Sequence, residues 1–341
     1  MTSQDGSGRT RTVTLRDVAQ LAGVSVATAS KALNGRADVR PETRRRVEEV
    51  AGRLAFTPNT LAKAMLAGQT GTVGLLTNDL VGRFSLPILM GAEDASGAGR
   101  MSVFLCDARG DAIRERYHLR ALLGRRVDGI IVVGSETDPR PSLGHHVPVP
   151  VVYAYAPSDD PTDASVVPDN VRAGTLAVEH LLLTGHQRIA HISGDVTYAA
   201  AQDRARGADA ALQAAGLQRV GPVRFGSWTE SWGRLAAGVV LDGDPVDAIL
   251  CGSDQIARGV LDTLRDRGVD VPGDVAVMGF DNWEAMVSGS RPSLTTVDMR
   301  FEAMGRRAAE LLFAAIEGRP SSGIEAIEPR VVVRGSTVAG A

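Results

Sequence analysis

Hydrophobic and polar positions follow two different periods along the chain. Between residues 14 and 68, apolar residues recur at offsets of three and four in four short segments, which predicts a small all-helical unit. From Thr72 onward, short runs of apolar and β-branched residues alternate with longer amphipathic stretches. This second pattern is typical of βαβ units and predicts a parallel sheet covered by helices.

Capping and turn residues mark the ends of the first helices. Thr14 is suited to cap the first helix, and Gly23 provides the turn residue after it. Ser25 caps a second helix that ends near Asn34, and Pro41 opens a third. Two helices joined by a short turn that contains glycine predict a helix-turn-helix, with a plain helical hairpin as the alternative.

Seven apolar runs mark the strands expected in the second part of the chain: TVGLLT, SVFLC, GIIVVG, PVVYAY, RIAHIS, AILCG and VAVMGF. A pattern of this length suits two similar α/β lobes, and ligands on such sheets bind beyond the carboxyl ends of the strands. The polar residues that follow the runs either line a ligand crevice or cap loops. They are Asn78, Asp79, Asp107, Ser135, Glu136, Tyr155, Asp195, Ser253, Asp254, Asp281 and Asn282.

The charge is distributed unevenly along the 341 residues. The first 70 residues carry 11 Lys and Arg against 6 Asp and Glu, whereas the remainder carries 26 against 34. The formal net charge of -3 therefore combines a basic head with an acidic body. A basic N-terminal part is the pattern of a chain that meets a polyanion such as DNA.

Missing motifs exclude several classes of site. Cys106 and Cys251 lie far apart in apolar runs, without the spacing of a disulfide framework or a zinc site. The lysines are Lys31 and Lys63, and neither precedes Ser or Thr, so the chain contains no Walker A phosphate loop. These features argue against a P-loop ATPase or kinase.

Neither catalysis nor membrane insertion is expected. The sequence contains no GxSxG or HExxH motif, and we interpret His180, His186 and His191 as solvated or core histidines. The polar first dozen residues lack the apolar segment of a signal peptide, and no apolar run approaches the roughly 18 residues that span a bilayer. We therefore expect a soluble, cytoplasmic protein that is not an enzyme and carries no cofactor or metal.

Several strings carry a family resemblance. TLRDVAQLAGVSVATASKALNG, VRPETRRRV and TPNTLAKAMLAG resemble the DNA-binding head and hinge of the lactose-repressor (LacI/GalR) family of bacterial transcription regulators. Further along, DNVRAG, GHQRIAHISG, RARG, SDQIARG, GFDN and PSLTTV match, in order, the sensor of the same family. The resemblance implies a small all-α helix-turn-helix head followed by an α/β periplasmic-binding-protein-like sensor of two doubly wound parallel-sheet lobes.

The resemblance also implies domain boundaries. We expect a disordered tail at residues 1–12, the helix-turn-helix head at 13–58, and a hinge helix with its linker at 59–69. The ligand-sensing domain follows at 70–338. Its N-lobe is expected at about 70–168 and 295–325, and its C-lobe at about 169–294 and 326–338.

DNA contacts are implied for the head and the hinge. Base readout falls on Val26, Ala27 and Lys31, of which Lys31 can donate to guanine O6 and N7. Phosphate contacts fall on Thr14, Ser25, Thr28, Ser30 and Asn34. The hinge is too short to form a helix alone and would contact the minor groove through Asn59, Lys63 and Met65, with Met65 in place of the usual Leu wedge.

The resemblance places an effector pocket between the lobes. Its residues would be Asn78, Phe84, Tyr155, Arg204, Trp228, Ser253, Asp254, Asp281 and Phe301. A guanidinium and a carboxylate suit the vicinal hydroxyls of a sugar, and aromatic rings suit its apolar face. A purine would use similar groups, so the effector class stays open, and Asp254 could instead cap its own helix.

Together these features predict a homodimeric transcription regulator that acts as a repressor. Its two heads would bind a pseudo-palindromic double-stranded operator, and a small effector, expected to be a sugar, would control operator affinity from between the lobes. Two alternatives share the α/β body: a solute-binding protein of transport and a sugar-modifying enzyme. The basic head argues against the first, and the lack of a nucleophile or metal cluster argues against the second.

Overall fold

The computed structural model describes residues 13–33, 38–54, 56, 70–79, 83–96 and 101–338. The chain divides into two units, residues 1–70 and residues 71–341. The expected tail, fourth helix and hinge lie outside the described residues.

Three helices form the described part of the first unit: α1 (Leu15–Ala22), α2 (Val26–Leu33) and α3 (Pro41–Arg53). Their buried faces meet in one core of small and β-branched side chains, in which the alanines of α1 and α2 let those two helices approach closely. This core contains Val18, Ala19, Ala22, Ala29, Ala32, Val47, Val50 and Ala51.

The first two helices begin and end where the capping residues predict. The Thr14 hydroxyl accepts the Asp17 backbone N–H at 3.4 Å, while the Asp17 carboxylate accepts the Thr14 backbone N–H at 2.8 Å. This reciprocal capping box begins α1. Gly23, with a φ of 66°, ends the helix, and Ser25 accepts the Thr28 backbone N–H at 3.1 Å at the start of α2.

Two six-stranded sheets form the second unit. The first sheet contains β1 (Thr72–Thr77), β2 (Ser102–Asp107), β3 (Gly129–Val133), β4 (Val151–Ala154), β5 (Ala164–Pro168) and β11 (Gly323–Ile327). Its strand order is β11-β5-β4-β3-β1-β2. The second sheet contains β6 (Ile189–Ser193), β7 (Arg224–Phe225), β8 (Ala248–Cys251), β9 (Ala276–Phe280), β10 (Thr295–Asp298) and β12 (Arg330–Val332), in the order β12-β10-β9-β8-β6-β7. Among the described strands, neighbours pair in parallel except β10 and β12, which are antiparallel.

Helices cover both faces of each sheet, which makes two lobes of three layers. In the N-lobe, α4 (Ser85–Ser96) and α11 (Phe301–Ile316) pack together on one face, and α5 (Ala112–Gly124) covers the other. In the C-lobe, α6 (Asn170–Leu183) and α7 (Ala199–Ala214) cover one face, and α8 (Glu230–Leu241) and α9 (Asp254–Asp266) cover the other. The short α10 (Glu284–Val287) follows β9. None of the helices in the described ranges is long and apolar enough to cross a membrane.

The chain passes between the lobes three times, after β5, after β10 and after β11. The family resemblance implies a second passage at about residue 295, but β10 pairs with β9 and so belongs to the C-lobe. The return to the N-lobe therefore follows Asp298. The third passage follows Ile327, the last residue of β11, rather than residue 325. Strand pairing, which depends on distant residues, sets these boundaries.

All seven runs that the sequence predicts as strands are confirmed. The five other strands, β5, β7, β10, β11 and β12, are two to five residues long. Each lies at the edge of its sheet or next to it, and most include Arg, Asp, Glu or Pro. Such strands carry no continuous apolar run, which is why the sequence pattern missed them.

Candidate functional site

The predicted readout residues share one exposed face of α2. Val26 and Ala27 are exposed, and Lys31 lies one turn further along the same helix. The opposite face holds the buried Ala29 and Ala32. The Lys31 ammonium forms an ion pair with Asp38 at 2.6 Å, with both side chains more than half exposed.

The predicted phosphate-binding residues cluster at the starts of α1 and α2. The Thr14 hydroxyl donates to Asp17, and the Ser25 and Thr28 hydroxyls lie 2.8 Å apart. Ser30 is partly buried. The Thr14 and Ser25 hydroxyls thus cap their helices, and a helix N-terminus is also where phosphate binds. Four predicted DNA contacts lie outside the described residues: Asn34, Asn59, Lys63 and Met65.

Asp281 is the central charged group of the cleft. It follows β9, is nearly fully buried, and has a φ of 99°, a conformation that is costly for a residue other than glycine. Its carboxylate accepts a hydrogen bond from Arg204 of the same lobe at 3.1 Å. It also accepts one from Arg83, which precedes α4 in the N-lobe. The carboxylate thus joins two guanidinium groups and connects the two lobes.

Arg204 is fixed by a set of buried contacts within the C-lobe. Its Nε donates to the Asn170 side chain at 2.9 Å, and its Nη1 donates to the Gly252 carbonyl at 2.6 Å. The guanidinium also lies 4.7 Å from the centre of the Phe280 ring. A guanidinium held at three nitrogens has one orientation. Its hydrogen bond therefore fixes the position of the Asp281 carboxylate.

Close packing of α6 on α7 fixes the backbone of Arg204. A Cβ added at Gly174 of α6 would lie 2.1 Å from the Arg204 carbonyl oxygen. Reciprocally, a Cβ at Gly207 of α7 would lie 1.9 Å from the Val171 carbonyl oxygen. Only glycine at these positions permits the observed approach of the helices, which sets the depth of Arg204 in the cleft.

Three aromatic rings form the N-lobe wall of the cleft. Phe84 stacks on Tyr155, with ring centres 4.2 Å apart and planes inclined by 21°. Phe301, at the start of α11, meets both rings edge to face at 5.3 and 5.8 Å. These three predicted effector residues are therefore brought together, next to the ion-paired group of Arg83, Arg204 and Asp281.

Burial and charge shift the pKa values of the cleft groups in opposite directions. Burial alone would raise the pKa of Asp281, but Arg83 and Arg204 more than offset it and lower the pKa below its ordinary value. Burial, and next the charge of Asp281, raise the pKa of Asp254 to about 8. Burial also raises the pKa of the Tyr155 phenol. At neutral pH, Asp281 is thus charged while Asp254 is mostly protonated.

Asp254 makes contacts that differ from those of a helix cap. Its carboxyl group accepts the Trp283 backbone N–H at 2.8 Å and bonds the Thr296 hydroxyl at 2.5 Å. The cap of α9 is instead Ser253, whose hydroxyl accepts the Ile256 backbone N–H at 3.3 Å. The suggestion that Asp254 caps its own helix is therefore wrong. Its contacts fix the loop after β9 to β10, which favours a structural role over an effector contact.

Two other predicted effector residues make contacts away from Asp281. The Asn78 side chain accepts the Gly110 backbone N–H at 3.2 Å and so joins the loops after β1 and β2. Trp228 packs on Gly194, where a Cβ would lie 2.1 Å from the indole ring, and meets Tyr198 edge to face at 6.0 Å. Both residues lie at carboxyl ends of strands, but neither joins the group around Asp281.

Arg83 is the cleft residue that the sequence reasoning missed. It lies in the segment between β1 and α4, not directly after an apolar run, so the strand-end rule did not select it. Arg83 and its partner Asp281 lie 198 positions apart in the chain. The available signal was a basic residue adjacent to the predicted pocket residue Phe84.

Comparisons with known proteins agree with this architecture. Residues 14–59 match the family of bacterial regulatory proteins, lacI family, and residues 178–337 match the periplasmic binding protein-like domain. Catabolite control protein A of Priestia megaterium is 34% identical over 88% of this chain and 91% of its own length. The HTH-type transcriptional regulator CelR of Thermobifida fusca is 33% identical over 96% of this chain and 99% of its own length.

Two solved structures share the fold over almost the whole chain. The lac repressor dimer bound to operator and the anti-inducer ONPF is 27% identical, with a TM-score of 0.75 over 96% of this chain and 100% of that chain. The complex of the transcriptional regulator CelR with cellobiose is 31% identical, with a TM-score of 0.64 over 95% and 99%. The helix-turn-helix head, the two-lobed α/β body and these relatives together show that the chain belongs to the lacI family of DNA-binding bacterial transcription regulators.

Proposed function

We propose that this transcriptional regulator binds a small polyhydroxy effector, a sugar, between its two lobes, and that binding changes its affinity for operator DNA. The observation that carries the proposal is the buried Arg204–Asp281 pair beside the rings of Phe84, Tyr155 and Phe301. Guanidinium and carboxylate groups bond vicinal hydroxyls, and aromatic faces pack on the apolar side of a sugar ring. The cellobiose complex of the relative CelR supports this assignment.

In the head, we assign base readout to the exposed face of α2 that carries Val26, Ala27 and Lys31. The exposed Lys31–Asp38 ion pair contributes little in water, so replacing Asp38 by a guanine edge costs little. The phosphate and minor-groove contacts stay predictions, at Thr14, Ser25, Thr28, Ser30, Asn34, Asn59, Lys63 and Met65.

The proposed active form is a homodimer whose two heads occupy the halves of a pseudo-palindromic operator. Exposed apolar side chains on the N-lobe support it: Leu86 and Met90 on α4, and Phe104 and Leu105 on the edge strand β2. An exposed apolar edge strand favours association, and a second copy of the chain would cover it. Sedimentation of the chain tests this, since a monomer would contradict it.

We assign the protein no catalytic role and place it in the cytoplasm, where bacterial operators are found. The relatives named above are transcriptional regulators, which supports the absence of a reaction. In the cleft, the side chains described around Asp281 form hydrogen bonds to one another, and we assign them the role of binding the effector. Incubating candidate sugars with the protein and finding unaltered sugar checks this assignment.

The test is effector control of operator binding by the full chain. Sugars and nucleosides are screened by tryptophan fluorescence, because the Trp283 ring lies 5.9 Å from the Arg83 guanidinium in the cleft. Each binding compound is then added to a gel-retardation assay with the protein's own promoter fragment. We expect at least one sugar to change operator affinity. If only nucleosides change operator affinity, the cleft is still the effector site, but the assignment of a sugar as the effector is wrong.

The matched variants are Asp281→Asn and Asp242→Asn. The first removes the charge that bonds both cleft guanidiniums, so the effector response should be lost while operator binding without effector is retained. The second removes an exposed carboxylate paired with Arg267 and should respond like wild type. An Asp281→Asn variant that responds at the original effector concentration contradicts the proposed site.

A further inference from the structure

The cleft holds more positive than negative charge around Asp281. Two guanidinium groups, those of Arg83 and Arg204, share this one carboxylate. Arg204 also bonds Asn170 and the Gly252 carbonyl, so three of its nitrogens are engaged within the C-lobe. Arg83 is the group whose bonding capacity is largely unused.

Arg83 makes few polar contacts for a guanidinium that is so enclosed. Its side chain is 14% exposed, and its one hydrogen bond to the described residues goes to Asp281. Its Nε is shielded from solvent and has no hydrogen-bond partner among the described residues. The group is held on its faces by the rings of Phe84 at 4.9 Å and Trp283 at 5.9 Å. A buried donor without a partner is costly unless a ligand supplies the acceptor.

Other carboxyl groups near Arg83 are engaged elsewhere. Asp79 accepts the backbone N–H groups of Phe84 and Ser85 at the start of α4, where the positive end of the helix offsets its charge. Asp254 bonds Trp283 and Thr296, and burial raises its pKa to about 8, which leaves it mostly neutral at pH 7. Neither carboxyl group therefore takes a hydrogen bond from the Arg83 guanidinium.

Three acidic groups lie near Tyr198, and none of them is among the charged groups that act on Arg83. Asp138 accepts the Ala199 backbone N–H at 3.1 Å, Asp195 accepts the Thr197 backbone N–H at 2.9 Å, and the negative charge of Glu136 is one of the causes that raise the pKa of Tyr198. Like charges repel, so an anionic ligand is directed away from these carboxylates and toward the guanidinium of Arg83.

We propose that Arg83 is a specificity-determining residue that binds an anionic group, a phosphate or a carboxylate, on the polyhydroxy effector. The proposal rests on the proposed function and names the class of its ligand: a sugar phosphate or an acidic sugar rather than a neutral sugar. The anion accepts from the unpartnered Nε of the guanidinium, while Nη2 keeps its bond to Asp281. Arg83 then connects the effector on the N-lobe side to the C-lobe carboxylate.

The first experiment measures anion binding without knowing the effector. Inorganic phosphate is added to the full chain at constant ionic strength, and thermal unfolding of the α/β body is recorded. Phosphate should raise the melting temperature of wild type but not of Arg83→Gln, with Arg83→Lys between them because it keeps the charge and loses the planar fork. Arg319→Gln removes an exposed arginine after α11 and should behave like wild type. An absent shift in wild type, or an equal shift in Arg83→Gln, overturns the proposal.

The second experiment separates the two sources of the anion. Calorimetry compares glucose with glucose 6-phosphate, ribose with ribose 5-phosphate, and galactose with galacturonate. In at least one pair the charged compound should bind about 10- to 100-fold more tightly, as expected for a hydrogen bond to a charged group, and Arg83→Gln should remove that advantage. If the charged compound binds wild type more tightly than its neutral partner in none of the three pairs, the proposal is overturned.

Failure of this inference is distinguishable from failure of the proposed function. If charged sugars bind through Arg83 but leave operator affinity unchanged, the ligand class is correct and effector control is wrong. If a neutral sugar changes operator affinity equally in wild type and Arg83→Gln, effector control is correct and the role of Arg83 is wrong.

Discussion

His191 is a buried histidine whose protonation should destabilise the α/β body. It lies in β6, is 2% exposed, and neither ring nitrogen has a hydrogen-bond partner among the described residues. Burial, and then the positive charges of Arg219 and Arg204, lower the pKa of His191 to about 3, compared with about 6.5 in an unfolded chain. At a pH between these two pKa values, His191 is protonated in the unfolded chain but not in the folded protein.

The sign and size of the effect follow from proton linkage. Because the folded pKa lies below the unfolded one, the contribution of His191 to stability is constant above about pH 6.5 and is lost as the pH falls toward 3. The free energy of unfolding should drop by about 1.4 kcal/mol at pH 5.5 and by about 2 kcal/mol at pH 5. His191→Leu has similar volume and cannot be protonated, so it should not share this loss.

The assay is urea unfolding of the full chain, followed by tryptophan fluorescence between about pH 7.5 and pH 5. The stability difference between His191→Leu and wild type should grow in favour of the variant as the pH falls, and carboxylate titrations common to both cancel. His145→Gln, which removes a surface histidine that is 74% exposed, is the control and should follow wild type. A difference that stays constant across this range would refute the reasoning.

Other predictions concern the head and the support of the cleft. Lys31→Ala should cost about 1–3 kcal/mol of operator binding, and Asp38→Asn should tighten it about two- to fivefold by freeing Lys31, both in salt-controlled titrations. Operator affinity of wild type should fall steeply with salt through counterion release; a flat profile contradicts the assigned head. Thr14→Ala should lower head stability by about 1 kcal/mol, measured by circular dichroism. Gly174→Ala should displace Arg204 and weaken the effector response in the retardation assay, while operator binding without effector is unchanged.

Local signals explain why much of the fold could be predicted. Thr14 and Ser25 accept hydrogen bonds from residues three positions away, so their capping role is contained in a short stretch of sequence. The same holds for the central strands, whose burial on both faces requires a continuous apolar run. Such features depend on neighbours in the chain and are visible before folding.

The cleft could be predicted only in part because its contacts join distant residues. Asp281 was selected by its position after an apolar run and Arg204 by the family resemblance, and the structure joins them directly. Arg83 was missed because nothing near it in sequence indicates Asp281 as its partner. Asp254 lies at the start of its helix, where the sequence suggested a cap, but Ser253 takes that role and leaves the Asp254 carboxyl group to bond Thr296.

The interleaved lobes have a consequence for biosynthesis. During translation the five strands β1 to β5 emerge first, yet α11, which supplies Met304, Leu311 and Leu312 to the apolar face of their sheet, follows the whole of the C-lobe up to Asp298. The lobe whose synthesis begins first thus lacks α11 until most of the other lobe has been made, and until then α4 covers that face of its sheet without its partner helix. We expect nascent chains that end before Phe301 to expose part of this face and to be retained by chaperones that bind apolar segments, whereas chains that extend past Val332 contain every strand of both lobes.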